Sequence, residues 1–495
     1  MESNIPILSI TILLPLISAF YIGFFIGRSN LDNKETHAIY VAILASSLSM
    51  ISAIALMLGF DKNVSDFQFV EQYNWVDSIG LEFFVGVDGI SIYFVLLTAF
   101  LSLLSIIASL FTVQKKIKEF LVCFLLLESF CIGAFCSLNL LLFYGFFEAT
   151  LIPMCLIIGV WGDKNRVYAS IKFFLYTFAG SVFLLLSLIY IYVKSGTFDI
   201  TELPNYLKHL PLERQQLLWF GIFIATAVKI PMVPFHTWLP DAHVQAPTSG
   251  SVMLAGVLLK LGGYAMLRII IPMFPNATES FSIYVLWLSG IAVIYASFVA
   301  FAQSDMKKMI AYSSIAHMGY VTGGIFSCSI SGISGAVFQM ISHGIISAAL
   351  FLTIGILYER HKTKEISYYG GVSVSMPLLS FYFMIFTLGA IGLPGLSGFV
   401  GEFLSIVGIF SADIMTGVVC SFGVILSALY MLVLYKRVFL GSASDAVLKF
   451  RDLCIVENLV LLPLAILVIY FGIKPNSILS IIDLSVVDLV SIYKS

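Results

Sequence analysis

Apolar blocks, each about as long as a bilayer is thick, follow one another along almost the whole chain. Residues 5–27, 38–59, 91–112 and 168–193 are among the clearest. A spanning helix needs roughly 20 apolar residues. Lipid offers the backbone no hydrogen-bond partner, so such blocks are expected to be helices. The weak alternation of a barrel strand does not fit them. The pattern predicts fourteen helices: 5–27, 38–59, 91–112, 119–137, 139–161, 168–193, 217–235, 246–272, 282–301, 309–326, 330–356, 377–406, 415–435 and 456–473. Between the second and third, Phe67-Gln68-Phe69-Val70 and Leu81-Glu82-Phe83-Phe84-Val85 flank a turn at Asp77–Gly80, which reads as a small β-hairpin.

Two of these helices are interrupted. The seventh contains Lys229-Ile230-Pro231-Met232-Val233-Pro234, and the twelfth contains Gly392-Leu393-Pro394-Gly395-Leu396-Ser397-Gly398. Proline removes a backbone donor and clashes with the preceding turn. Broken helices at matching places in two halves of a transporter point to its ion site. One break lies in helices 4–8 and the other in helices 9–13, which suggests two repeats, although two unrelated proline kinks would look the same. The expected organisation is one all-α polytopic membrane domain over residues 1–495. Residues 1–112 hold helices 1–3 with an outer hairpin near 66–88. Residues 119–272 form a first repeat and 282–435 a second. Helix 14 at 456–473 and a tail close the chain.

Composition agrees with this layout. Hydrophobic residues make up 60 % and charged ones 11 %, against about 25 % charged in a soluble domain. Cytoplasmic loops carry an excess of Lys and Arg. If alternate loops are assigned to opposite sides, one side holds 16 cationic residues and the other 6, with both termini on the poorer, outer side. The start, Met1-Glu2-Ser3-Asn4, lacks a positive region and no small-residue cleavage site follows, so the first helix is expected to be retained. No basic stripe suggests nucleic acid. The seven cysteines include no C-x-x-C pair and read as packing thiols rather than iron–sulfur ligands.

The chemistry is expected among the ionisable residues inside the apolar blocks. These are Glu128, Glu148, Lys172, Lys229, Lys260 and Glu402, with His317 and His343. A charge at mid-bilayer costs roughly 2.5–3.5 kcal/mol, so the six unpaired would cost roughly 15–21 kcal/mol. That exceeds the total stability of a typical domain, about 5–15 kcal/mol. They must face one another or internal water. Burial brings lysine and carboxyl groups toward neutrality, and histidine already titrates there. A hydrated row of such groups therefore suits proton transfer. Blander readings stand beside this one. Lys172 lies near an inner helix end and could snorkel to the headgroups. Glu128 could hydrogen-bond a neighbouring helix, and His317 and His343 could be structural. His236 and His243 sit with Asp241 in a stretch, 236–245, that reads as a loop with a turn network. No metal-pair spacing occurs.

The stretch from Lys229 to His243, continuing through Ala246-Pro247-Thr248-Ser249-Gly250-Ser251-Val252 to Leu259-Lys260, resembles the signature of the proton-translocating, antiporter-like subunits of respiratory complex I and of Mrp-type cation/proton antiporters. Ala311–Tyr320, Ser342-His343-Gly344 and Gly392–Phe403 match the same family, so the resemblance covers nearly the whole chain. Three features set it with the complex I branch rather than with Mrp antiporters or membrane hydrogenase subunits: Phe146-Phe147-Glu148-Ala149-Thr150-Leu151-Ile152-Pro153-Met154 on the fifth helix, Gly86-Val87-Asp88-Gly89-Ile90-Ser91 after the hairpin, and a glutamate, Glu402, on the twelfth helix.

The resemblance implies roles. Glu148 and Lys229 form a modulating ion pair, and Lys260 is the central proton carrier. His317 and His343 link it to Glu402, the exit carboxylate. The implied fold is fourteen helices with two inverted five-helix repeats, 4–8 and 9–13. It also implies an inner-membrane protein whose partners are other complex I membrane subunits, including sister antiporter-like ones. NADH, flavin, iron–sulfur and quinone chemistry would lie in partner subunits, with no cofactor or metal in this chain. Glu128 and Lys172 have weaker warrants on the path.

Overall fold

The computed structural model describes residues 6–26, 34–113 and 115–494. Met1 to Asn4 and Arg28, on which the retained start and one inner-side charge rest, lie outside the described residues. The helices are α1 (Ile7–Phe20, continued by a π-helical turn), α2 (Lys34–Gly59), α3 (Ser91–Thr112), α4 (Ile117–Cys136), α5 (Leu140–Trp161) and α6 (Arg166–Ser195). The seventh expected helix, 217–235, ends early as α7 (Leu212–Lys229), and a further helix, α8 (Trp238–Gln245), follows where a loop was expected. Then follow α9 (Thr248–Met273), α10 (Pro275–Phe301), α11 (Met306–Phe326) and α12 (Ile330–His361). The twelfth expected helix is split into α13 (Pro377–Ile391) and α14 (Ser397–Ala412). The last three are α15 (Ile414–Phe439), α16 (Ile455–Ile473) and α17 (Asn476–Lys494). All fourteen expected segments are therefore helical.

Strand β1 (Gln68–Val76) pairs antiparallel with β2 (Leu81–Val87), as the hairpin pattern required. Loop contacts sort into two sets at opposite ends of the helices. At the hairpin end, Glu71 of β1 accepts from Leu8 N at 2.8 Å and Ser9 N at 3.0 Å, satisfying orphan donors at the start of α1. Leu138 N donates to Phe84 O at 2.9 Å at the same end. At the opposite end, Asp163 N donates to Gln245 O at 2.9 Å, Lys364 pairs with Asp163, and Arg360 meets Glu457 at 2.7 Å.

The last element departs from the expected tail. Helix α17 is amphipathic, with Ile478, Ile482, Val486, Leu489 and Val490 buried. It returns across the helix ends on the hairpin side: Gly89 N donates to Ser485 Oγ at 3.1 Å, and Tyr93 donates to Ser477 O. Beneath it, Arg268 of α9 meets Asp88 at 2.5 Å. Burial alone would raise the Asp88 pKa, but the Arg268 guanidinium and the Ser91 hydrogen bonds outweigh it and hold the carboxyl below its ordinary value. Asp88→Asn leaves Arg268 without its counter-charge. Breaking a buried pair costs about 3–5 kcal/mol, and the lower end is expected because Arg268 borders an outer cavity of about 270 Å³. The thermal midpoint of the solubilised protein should fall accordingly. Because the folded pKa is depressed, the contribution persists from neutral pH down to the unfolded value of about 3.9 and fades only as pH drops through the folded one. An unchanged midpoint at pH 7 would remove the pair from the account.

Helix α12 is the axis. Every residue from Gly332 to Leu357 is buried, as a helix apolar on all sides must be. Against it lies α9, which has π-helical turns at Leu254–Leu258 and Met266–Ile270. Gly256 and Gly344 let these two backbones approach. A Cβ on Gly344 would lie 3.0 Å from Gly256 O and 2.8 Å from Leu97 Cδ2. Apolar side chains such as Leu58, Val193, Ile425 and Phe298 are exposed on the outer helices, the surface that lipid covers.

Candidate functional site

Lys260 is fully buried, just beyond the first π-helical turn of α9. Such turns leave carbonyls free to take side-chain donors, and Lys260 Nζ donates to Ala255 O. It also lies 2.8 Å from His343 Nδ1 on α12. Which of the two donates depends on the protonation of each: an ammonium only donates, whereas a neutral amine can also accept. The His343 ring lies 5.5 Å, centre to centre, from that of His317 on α11. His317 Nδ1 is 2.7 Å from Glu402 Oε1 on α14. Four side chains from four helices thus form one row through the buried core.

The row has room for water. A cavity of about 10 Å³ is bordered by His317, His343, Gln339, Ser313, Ser314 and Glu402. A single water needs roughly 10–15 Å³ measured this way. Glu402 accepts from Gln339 Nε2 at 3.2 Å, while its Oε2 is buried without a hydrogen-bond partner. The break between α13 and α14 aims this carboxylate. Gly392 has φ +77°, and a Cβ there would lie 2.9 Å from Glu402 Oε2. A glycine permits both the turn and the close approach.

The other break positions Lys229, the last residue of α7. Trp238 Nε1 donates to Val228 O at 3.0 Å, and Met232 N to Ala227 O at 2.8 Å, so the freed carbonyls are satisfied. Lys229 Nζ donates to Thr150 Oγ1 at 3.1 Å and sits 4.4 Å from the Phe147 ring centre. Both neighbours flank Glu148 on α5. The expected Glu148–Lys229 ion pair is not closed: among the described residues these two form no direct salt bridge, and Glu148 Oε1 is buried without a partner. The structure holds the pair apart with its charges still in electrostatic reach.

Two weaker candidates stand off this row. Glu128 is buried against α2, accepting from Ser46 Oγ at 2.6 Å. Lys172 pairs with Asp241 of α8 at 2.7 Å. Sequence reasoning passes over Gln339 and Thr150, reads His243 as part of a turn network and counts Lys307 only among loop cations. In α12, Gln339, Ser342, His343 and Ser347 recur at three- and four-residue spacing within an apolar helix. That stripe was the available signal for Gln339. The 236–245 stretch is corrected: most of it is helix α8, because the prolines end α7 and the chain resumes at Trp238. His243 is wholly buried there, stacked on Phe351 at 4.5 Å. Among the described residues no three His, Cys, Asp or Glu side chains gather in a metal-binding group.

A many-helix membrane fold with two broken helices and a core row of lysine, histidine and glutamate defines a class, and the chain belongs to the NADH:quinone oxidoreductase/Mrp antiporter transmembrane family, whose pattern matches residues 137–428. Whole-length similarity narrows this further. The chain is 61 % identical over 487 residues to NADH-quinone oxidoreductase subunit M of Rickettsia bellii, covering 98 % of this chain and 99 % of that one. It is 46 % identical to NADH-ubiquinone oxidoreductase chain 4 of Marchantia polymorpha, over 91 % of both. A chain in the structure of respiratory complex I from Thermus thermophilus with bound NADH superposes with a TM-score of 0.89 at 29 % identity, covering 98 % of this chain and 99 % of that one. These relatives and the apolar helices mark a multi-pass inner-membrane protein of the subunit M, or chain 4, type.

Proposed function

We propose that this chain exports protons as the antiporter-like M subunit of an NADH-quinone oxidoreductase, through Lys260, His343, His317 and Glu402. The observation that carries the reading is that row, with near-hydrogen-bond contacts at both ends and a water-sized gap in the middle. Each group can hold or release a proton, and each hop is one hydrogen bond or one water long. Electron transfer from NADH to quinone, with its flavin and iron–sulfur clusters, belongs to partner subunits. Its energy would reach this chain through neighbouring membrane subunits, sister antiporter-like ones among them. In this reading the halves 119–272 and 282–435 are inverted repeats, each with one broken helix that supplies a charged residue. Glu148 and Lys229 act as the modulating pair: closing it keeps the Lys229 charge at home, and opening it exposes Lys260 to that charge.

Glu402→Gln tests the row. It keeps the shape and the Gln339 contact but removes the titrating group. NADH-driven proton uptake by inverted vesicles should fall about a hundredfold, the lower end of what general acid–base groups contribute, at a normal level of assembled complex. Wild-type uptake at normal assembly would remove Glu402 from the route.

A further inference from the structure

His243 has no role in the row just described, yet its environment is unusual. The residue is wholly buried, and both ring nitrogens lack a hydrogen-bond partner among the described residues. Leaving a buried polar group unsatisfied costs about 1–3 kcal/mol, so an imidazole is a poor choice for a purely structural position. Its surroundings supply a reason. On the inner side a vestibule of about 430 Å³ opens between helices, bordered by Asp163, Ala246, Thr248, Lys307, Tyr358 and Glu359. Lys307 is 2 % exposed and donates to Ala246 O at 2.9 Å, one helical turn beyond His243 on α8. His243 thus lies behind the vestibule wall, within electrostatic reach of both Lys307 and Lys260.

On the far side, α12 marks the remaining distance. His343, which touches Lys260, and Phe351, which stacks flat on His243, are eight residues apart, about 12 Å along the helix axis. Ser347 lies midway and borders the water-sized cavity of the row. The Phe351 ring covers one face of His243 at an interplanar angle of 6°.

We propose that His243 is the relay by which protons from the inner vestibule reach Lys260, with Phe351 as the gate; this rests on the proton-export reading above. Vestibule water delivers a proton to one ring nitrogen. The other nitrogen releases its own proton, through Ser347 or a water, to the neutral amine of Lys260. One proton has moved, Lys260 is an ammonium, and the imidazole is neutral in its other tautomer. Ring reorientation or the reverse exchange resets it.

His243→Phe preserves the flat stack and removes the titrating group. In vesicles containing the whole complex, NADH-driven uptake is expected to fall about a hundredfold, with assembly unchanged. Residual turnover is expected to show a larger H₂O-to-D₂O rate ratio than wild type, because uptake becomes limiting. Phe351→Ala removes the gate and is expected to raise passive proton leak without NADH. Wild-type uptake in His243→Phe alongside loss in Lys260→Met overturns the relay and leaves the export reading standing. Wild-type uptake in both overturns the export reading itself. Low uptake with poor assembly and an unchanged isotope ratio makes His243 structural and also overturns the relay.

Discussion

Lys260→Met abolishes NADH-driven proton uptake while the complex assembles at its normal level. Methionine is unbranched, of similar length and suited to irregular apolar gaps, so the packing of α9 on α12 survives. What is lost is the titrating group of α9 that touches His343. Lys260 touches a carbonyl and an imidazole, and among the described residues no carboxylate pairs with it. Replacing a buried charge by an apolar group is often neutral or stabilising, which separates loss of transfer from loss of fold. The expected fall is about a hundredfold or more, the range of a positioned proton-transfer group. Dye quenching in inverted vesicles, normalised to the amount of assembled complex, measures it. Uptake above about a tenth of wild type, one unit of 1.36 kcal/mol in barrier, would exclude Lys260 as an obligatory carrier. Lys260→Arg should fail almost as fully, because a guanidinium does not give up its proton.

That contrast sharpens the second prediction. Glu148→Gln and Lys229→Ala should each remove most proton uptake, and quinone reduction with it, because coupled steps stop together. Lys229→Arg should retain a substantial part of the rate. A modulating partner need only carry charge, whereas a carrier must lose it. The structure motivates the distinction, since Lys229 is held by Thr150 and the Phe147 ring while Glu148 stands apart with a bare buried oxygen. NADH-driven uptake and NADH:quinone reductase rates for the three variants decide the matter. Equal loss in Lys229→Arg and Lys229→Ala would make Lys229 a carrier. Wild-type rates in Glu148→Gln would dissolve the pair.

Much of the fold was legible because membrane insertion is a local test. Each apolar block must be long enough and must satisfy its own backbone, so all fourteen segments appear close to their expected places. The breaks were legible for the same reason, since Pro231 and Gly392 act on the backbone beside them. The strap α17 was not legible as structure. Its apolar residues recur every few positions among Asp483, Asp488 and serines, a pattern that only becomes a buried face when outer helix ends lie beneath it. The 236–245 stretch was misread because proline and polar residues signal a loop, whereas here helix α8 is enclosed by α6, α9, α11 and α12.

The candidate residues divide along the same line. Sequence alone determined that Glu148, Lys229, Lys260 and Glu402 need company, because the cost of a charge in lipid belongs to the residue itself. Only the tertiary structure decided which company each keeps: Lys260 with His343, His317 with Glu402, Glu128 with Ser46, Lys172 with Asp241. Those partners lie tens to more than eighty positions apart in the chain, and their meeting depends on which helix faces touch. Close approach at Gly256 and Gly344, and the two broken helices, set those faces, and no spacing within a single segment encodes them.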